Sequence, residues 1–257
     1  MKSLIDSMFI AVSMYSSLPV PYAEWNDRNM RNAMCFFPLV GAFCGAGLML
    51  LWKICTLMNI NSVLFGAFAV LLNVVTTGGI HIDGFCDTSD ALLSRRSQEE
   101  KLKILKDPHC GSFAVLSLMM ALLVSYASYV SIYEKPEIIR LISLNFLLSR
   151  SFSGISVTAF RCASSSTLAK LFSEGSAGYV KYILIAEAVL ISAAMIITGG
   201  FSGLAAVVLN ILSFILYRRM SYREFGGITG DTAGYFILLS EVCMALAAAL
   251  LNLCGIL

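Results

Sequence analysis

Five of the chain's seven aspartates fall in two short, glycine-punctuated stretches: Asp83, Asp87, Asp90 and Asp107 in one, Asp231 in the other. Both histidines, His81 and His109, belong to the first. Charged residues make up only 13% of the chain, so this concentration marks where chemistry is to be sought. The first stretch reads Thr77-Gly78-Gly79-Ile80-His81-Ile82-Asp83-Gly84-Phe85-Cys86-Asp87-Thr88-Ser89-Asp90. Its aspartates at i, i+4 and i+7 would lie within an arc of roughly 60° on a helix. Like charges stacked on one face repel unless a cation sits among them. Carboxylate oxygens are hard ligands for Mg²⁺, Mn²⁺ or Ca²⁺, and a few carboxylates completed by substrate phosphate suit Mg²⁺ best. A solvated acidic helix end is the simpler alternative. Against it, the stretch directly follows an apolar run and carries Phe85, Ala91, Leu92 and Leu93 on its other faces.

The second stretch, Gly226-Gly227-Ile228-Thr229-Gly230-Asp231-Thr232-Ala233-Gly234, opens the last apolar run. Glycines let backbone N–H groups approach an anion, and a helix N-terminus adds favourable partial charge. Glycine is also common where membrane helices pack closely. With Asp231 inside it and Arg218, Arg219 and Arg223 before it, the stretch reads as a phosphate cradle through Gly227, Thr229 and Gly230, with one more metal ligand. Between the two stretches a basic amphipathic segment runs from Arg95 to Lys106 and ends in Lys106-Asp107-Pro108-His109-Cys110-Gly111. Lys101 and Lys103 there read as the flanking charge of a membrane protein. Asp107 breaks the basic pattern and joins the candidate ligands, while Arg96 and Lys106 are candidates for substrate phosphate. His81, two residues before Asp83, fits a general base, a ligand or a structural hydrogen-bonder. Carboxylates with basic and glycine-rich surroundings point to phosphoryl or nucleotidyl transfer with Mg²⁺.

The elements that position these residues must be membrane helices. The chain is 58% hydrophobic, against roughly 45–50% in soluble domains, and its mean hydropathy is +0.81. A soluble enzyme domain and a disordered chain are both excluded. A net charge of +2, dispersed along the chain, suggests no nucleic-acid partner. The eight cysteines form no CxxC pair, and most lie inside apolar runs as small hydrophobes. Segment 4–18 is too short to cross a bilayer and reads as an interfacial or re-entrant helix stopped by Pro19-Val20-Pro21, with no sign of a removed signal peptide. Candidate spans follow at about 34–58, 60–77, 111–133, 137–160, 179–199, 201–217 and 232–254. The expectation is an all-α, polytopic bundle of about seven transmembrane helices, a single catalytic domain over 1–257. The long loops, 19–33, 78–110, 161–178 and 218–231, share one side with the N-terminus, and together they hold thirteen Lys and Arg residues; the opposite side has Lys53 and Lys135. The positive-inside rule makes the long-loop side cytoplasmic.

The residues from Thr77 to Asp90 resemble the signature of the cobalamin synthases, also called adenosylcobinamide-GDP ribazoletransferases. So do Lys106-Asp107 with Gly111, Gly226 to Asp231 with Glu241 ten residues on, Leu18-Pro19-Val20-Pro21 and Phe37-Pro38-Leu39-Val40-Gly41. The matches run in the family's order from about residue 15 to 241. His109 departs from the family's pattern, and 162–178, with Ser164-Ser165-Ser166, carries no matching motif. The resemblance implies a transferase of the bacterial or archaeal cytoplasmic membrane. It would join α-ribazole, or its 5′-phosphate, to adenosylcobinamide-GDP with Mg²⁺ and release GMP. Asp83, Asp87 and Asp90, with Asp107 or Asp231, would hold the metal, and one carboxylate or His81 would take the hydroxyl proton. A homo-oligomer, or association with other cobalamin-assembly enzymes, stays open.

Two other classes compete. The CDP-alcohol phosphotransferases cluster aspartates at a membrane surface, but their Asp-x2-Asp-Gly-x2-Ala-Arg pattern fails here: Asp83 to Asp87 is an x3 gap and no later Gly-x3-Asp-x3-Asp exists. A transporter or channel would spread acidic groups along its spans, whereas these pool at one face. Arg150 and Glu241 each lie ten residues from the cytoplasmic end of a span, about 15 Å deep. They should therefore pair as a buried structural ion pair, with Glu187 as the alternative partner; an unpaired Arg150 would instead serve substrate phosphate. The charge asymmetry is open to test by cysteine labelling in intact cells. Arg96→Cys and Arg223→Cys should resist a membrane-impermeant reagent while Lys135→Cys reacts, and the reverse pattern would overturn the topology.

Overall fold

The computed structural model describes residues 2–163, 172 and 175–253. Among these, regular structure is helical apart from one isolated parallel bridge between Cys162 and Ile228. Residues 164–171 and 254, which include Ser164-Ser165-Ser166, Lys170 and Cys254, lie outside the described residues.

Helix α1 (Lys2–Tyr15) has 14 residues, about 21 Å at 1.5 Å per residue and short of the ~30 Å hydrocarbon core. Its end is fastened to the end of a later helix by Ser17 N–H donating to the Thr76 carbonyl at 2.9 Å. After the short α2 (Asp27–Met30), capped by the Asn26 side chain, a 3-10 turn (Ala33–Phe36) runs into α3 (Phe37–Leu57). Helix α4 (Ser62–Thr77) brings the chain back. It stops at Gly78 and Gly79, whose φ of 63° and 79° are costly for any residue with a Cβ. Two such residues in succession bend the chain by 96° into α5 (Ile80–Leu93). Helix α5 packs against two later helices, where its Phe85 meets Ala121 and Leu238. Then come α6 (Gln98–Ile104), opened by a Ser97–Glu100 capping box, α7 (Ser112–Ser131), α8 (Pro136–Ala159), α9 (Val180–Phe225) and α10 (Gly230–Leu253).

Five helical stretches are long and apolar enough to cross a membrane, and the bent pair α4–α5 brings the number to six. The 46-residue α9 contains a reversal that raises it to seven. At Gly200 the backbone leaves helical geometry (φ 54°, ψ −125°), and a Cβ on Gly203 would strike the Met195 carbonyl. In a continuous helix those residues would stand about 12 Å apart, so the two arms fold back on each other. The expected turn near residue 200 is thus present, but the second arm continues to Phe225 rather than stopping at 217. Arginines at 218, 219 and 223 end the span without ending the helix.

Helix α8 is the hub, packed by α3, α9 and α10. Its buried serines are compatible with an apolar interior because their hydroxyls donate back to carbonyls three or four residues earlier, as Ser143 does to Ile139 and Ser149 to Phe146. Small residues let α3 approach closely, since a Cβ on Gly41 or Gly45 would run into the α8 backbone at Phe146 or Ser143. Polar side chains also tie helices together. Asn210 donates to the Asn145 amide oxygen at 2.7 Å, and the Ser240 hydroxyl donates to Asn210 at 2.7 Å.

The deepest tie is between Arg150 on α8 and Glu241 on α10, as the depth arithmetic predicts. Arg150 is wholly buried, and Glu241 also accepts hydrogen bonds from Asn73 of α4 (2.6 Å) and Ser149 (3.4 Å). Glu187 is not the partner: one of its carboxylate oxygens is buried without a hydrogen bond among the described residues. A second close contact sets the height of α5, where a Cβ on Gly84 would come within 2.7 Å of the Asp231 carbonyl of α10. Arg150→Ala should cost roughly 3–5 kcal/mol by leaving Glu241 buried and unpaired. The expected readout is a loss of folded, detergent-extractable protein, partly restored by exchanging the charges as Arg150→Glu with Glu241→Arg; full yield of inactive Arg150→Ala would refute the structural pairing. Gly84→Ala should insert and fold but lift Asp83 off its place, costing on the order of 10²-fold in turnover.

Candidate active site

By packing against α10 and α7, helix α5 gathers four of the five aspartates expected in the site. Asp83 and Asp87 line an open cleft of about 540 Å³, walled also by Gly78, Gly79, Ile80, Cys86, Pro108 and Cys110. At the far end of α5, the Asp90 carboxylate lies in the space that a Cβ on Gly111 would take, so a larger residue there would have to push it aside. Asp231, on the first turn of α10, faces an inner chamber of about 180 Å³ whose wall includes Asp83. Burial pushes the Asp87 carboxyl up to about 6, and the charges of Asp83, Asp231 and Asp90 add to the effect. Four carboxylates thus feel one another as the helical spacing requires. Among the described residues, however, no three Asp, Glu, His or Cys side chains stand close enough to cage a metal ion.

Asp107 is not brought to this group. It is exposed on the loop before α7, where its carboxylate accepts the His109 backbone N–H at 3.0 Å and lies 2.7 Å from His109 Nδ1. These hydrogen bonds hold it below the usual carboxylate range. Arg96 and Lys106 are likewise exposed, on the segments flanking α6. Lys101, expected as flanking charge, is instead buried and paired with Glu224 at the end of α9, which fastens α6 over the bundle.

His81 lies in the first turn of α5, buried against two rings: Tyr15 at 6.4 Å, stacked, and Phe37 at 5.9 Å, edge-on. It lines the inner chamber and also a small polar cavity of about 30 Å³ that it shares with Asn73 and Glu241. Its Nε2 has no hydrogen-bond partner among the described residues. The histidine therefore stands between the aspartates and the buried ion pair. Arg150 lines neither cleft nor chamber, so the structure gives it the pairing role and not that of a substrate anchor.

Most of the glycine stretch is not an open phosphate cradle, because four of its N–H donors, from Gly226 to Thr229, are already used. Gly226 and Gly227 N–H donate to the Ser221 carbonyl, Ile228 N–H to Arg161, and Thr229 N–H to the Thr232 hydroxyl at 2.9 Å. Thr229 is buried and caps α10 by accepting the Thr232 N–H at 3.1 Å. Gly227 is required for packing, since a Cβ there would come within 2.6 Å of the Arg161 carbonyl and the Ala163 nitrogen. Gly230 alone of the three predicted contacts reaches the chamber. The stretch is a buttress that locks the start of α10, and with it Asp231, to segment 161–163. Sequence reasoning missed Tyr15, Phe37 and Phe172, the aromatic wall of the chamber, and Asn73 on Glu241. In a chain apolar nearly throughout, nothing distinguishes a ring that faces a chamber from one that faces lipid.

The description Cobalamin-5-phosphate synthase belongs to a family profile that matches residues 7–249. A protein named adenosylcobinamide-GDP ribazoletransferase from Lachnoclostridium phytofermentans is 36% identical over 247 residues, 96% of this chain and 94% of its own. Proteins of the same name from Clostridium perfringens and Pseudomonas fluorescens are 35% and 32% identical, each over 94% of this chain and 96% and 98% of their own. No solved structure matches the chain. The profile takes in every helix that builds the cleft, the chamber and the glycine buttress, and the chain belongs to the cobalamin-5-phosphate synthase family.

Proposed function

We propose that the protein is a membrane-bound adenosylcobinamide-GDP ribazoletransferase. It joins α-ribazole, or its 5′-phosphate, to adenosylcobinamide-GDP and yields adenosylcobalamin, or its phosphate, with GMP. The observation that carries this reading is the near-full-length match to relatives of that name. The gathering of Asp83, Asp87, Asp90 and Asp231 beside one cleft accords with it. A ribose hydroxyl of the acceptor attacks the phosphorus nearest the cobinamide; a new P–O bond forms, and the P–O bond to GMP breaks with its electron pair leaving on GMP. Asp83 is the carboxylate that borders both cleft and chamber, and it or His81 receives the hydroxyl proton.

The donor set suits Mg²⁺: hard oxygens only, with the Asp87 carboxyl pushed up by burial and then by the charges of Asp83, Asp231 and Asp90, a local excess of negative charge that a divalent cation relieves. Asp83 and Asp87, with Asp90 and Asp231 beside them, would hold the ion. It would supply neutralisation of charge on the diphosphate and the leaving GMP. Mg²⁺ commonly takes one or two protein carboxylates and completes its shell with water and substrate phosphate. The excess of Lys and Arg on the long-loop face supports a cleft on the cytoplasmic side of the cytoplasmic membrane.

Membranes containing the protein, given adenosylcobinamide-GDP, α-ribazole and Mg²⁺, should release GMP in step with corrinoid product. Asp83→Asn, Asp87→Asn and Asp90→Asn should each abolish turnover while leaving insertion intact, and excess chelator should stop the wild type. Full activity in any two of these variants, or in chelator, would sink the metal reading.

A further inference from the structure

The site has two rooms of different character that share a wall. The cleft is open, and its charge comes from Asp83 and Asp87. The chamber behind it is smaller, about 180 Å³, and Tyr15, Phe37 and Phe172 give it an aromatic lining, with Val157 of α8 and Ile237 of α10 completing the apolar surface. Sites that enclose drug-sized ligands run to roughly 300–1,000 Å³, so the chamber takes one flat ring system and not a whole nucleotide. Phe37 and Phe172 are almost fully buried, and Tyr15 lies 4.3 Å from Phe37 between ring centroids. Three rings from α1, α3 and the segment before α9 are thus prearranged around a space that none of them fills. The polar groups of the lining are Asp83, which also borders the cleft, with Asp231, His81 and Ser153.

We infer that the chamber is the specificity pocket for the base of the acceptor nucleoside. The aromatic base inserts between the Tyr15, Phe37 and Phe172 rings, and its ribose is left at the Asp83–Asp231 edge, facing the phosphorus of a donor seated in the cleft. The inference rests on the ribazoletransferase reading, and it adds which residues choose the base. Stacking on aromatic side chains selects a flat ring and tolerates its chemistry. Size selection then falls to the depth of the chamber, which Val157 and Ile237 close.

Val157→Phe fills the chamber from α8, and Tyr15→Leu removes one ring from the half-buried end of α1. The KM for α-ribazole should rise roughly 10- to 100-fold in each, while the KM for adenosylcobinamide-GDP stays within about two-fold. Val157→Phe should also favour a riboside with a single-ring base, such as imidazole riboside, over α-ribazole relative to the wild type. Size-exclusion profiles of the solubilised variants separate misfolding from this effect, and Val157→Ile, a smaller intrusion, should give an intermediate shift. Unchanged acceptor KM and unchanged base preference in folded Val157→Phe and Tyr15→Leu would overturn the inference while leaving the transferase reading intact. A wild type that forms no corrinoid product at all would overturn that reading, and the inference with it.

Discussion

Two opposite charges buried between helices govern this bundle. Arg150 and Glu241 sit near the middle of α8 and α10, and each is affordable there only because the other is present. The pair fixes the rotation of both helices. Asn73 extends the constraint to α4 by donating to the second carboxylate oxygen. The site inherits its geometry from this arrangement: α10 carries Asp231, α4 delivers the chain into the glycine bend that launches α5, and α8 supplies the floor of the chamber through Ser153 and Val157. Apolar packing among lipid-like side chains would leave these helices free to rotate against one another, because lipid solvates them equally well. The buried charges and the Asn145–Asn210–Ser240 chain remove that freedom.

Glycine serves this fold in two separate ways. At Gly78 and Gly79 the backbone conformation itself is needed, and the chain bends by 96° within two residues. At Gly84, Gly111 and Gly227 the conformation is ordinary and the absence of a Cβ is what counts, because a carbonyl, a carboxylate or a neighbouring backbone occupies that space. The aspartates are held at their spacing by these approaches as much as by the helix they ride on.

Much of this was legible in the sequence because the bilayer imposes lengths and depths that can be counted. Span positions, the turn near Gly200, the common depth of Arg150 and Glu241, and the shared face of Asp83, Asp87 and Asp90 all follow from rise and periodicity. What counting cannot supply is rotation and partnership. Glu187 lies at a plausible depth, yet one of its carboxylate oxygens is buried without a hydrogen bond among the described residues. The Gly226–Gly230 stretch has the composition of an anion cradle, and only the proximity of Arg161 to Ala163 and the Thr229–Thr232 exchange shows most of its N–H groups already donated. Arg218 to Arg223 read as the end of a span, yet the helix carries on through them to Phe225, because charge keeps a helix out of lipid and does nothing to unwind it. Asp107 looked like a ligand by its neighbours in sequence and is turned outward to His109.

The wall shared by cleft and chamber also carries a kinetic meaning. Ile80 and Asp83 border both rooms, so a bulky corrinoid nucleotide settled in the cleft lies across the doorway to the chamber behind it. An acceptor arriving from the same face has to pass before that door is shut. With the acceptor's base in the chamber as proposed above, addition would be sequential and ordered with the small nucleoside leading, and a surplus of the large substrate would slow the cycle by occupying the threshold too soon.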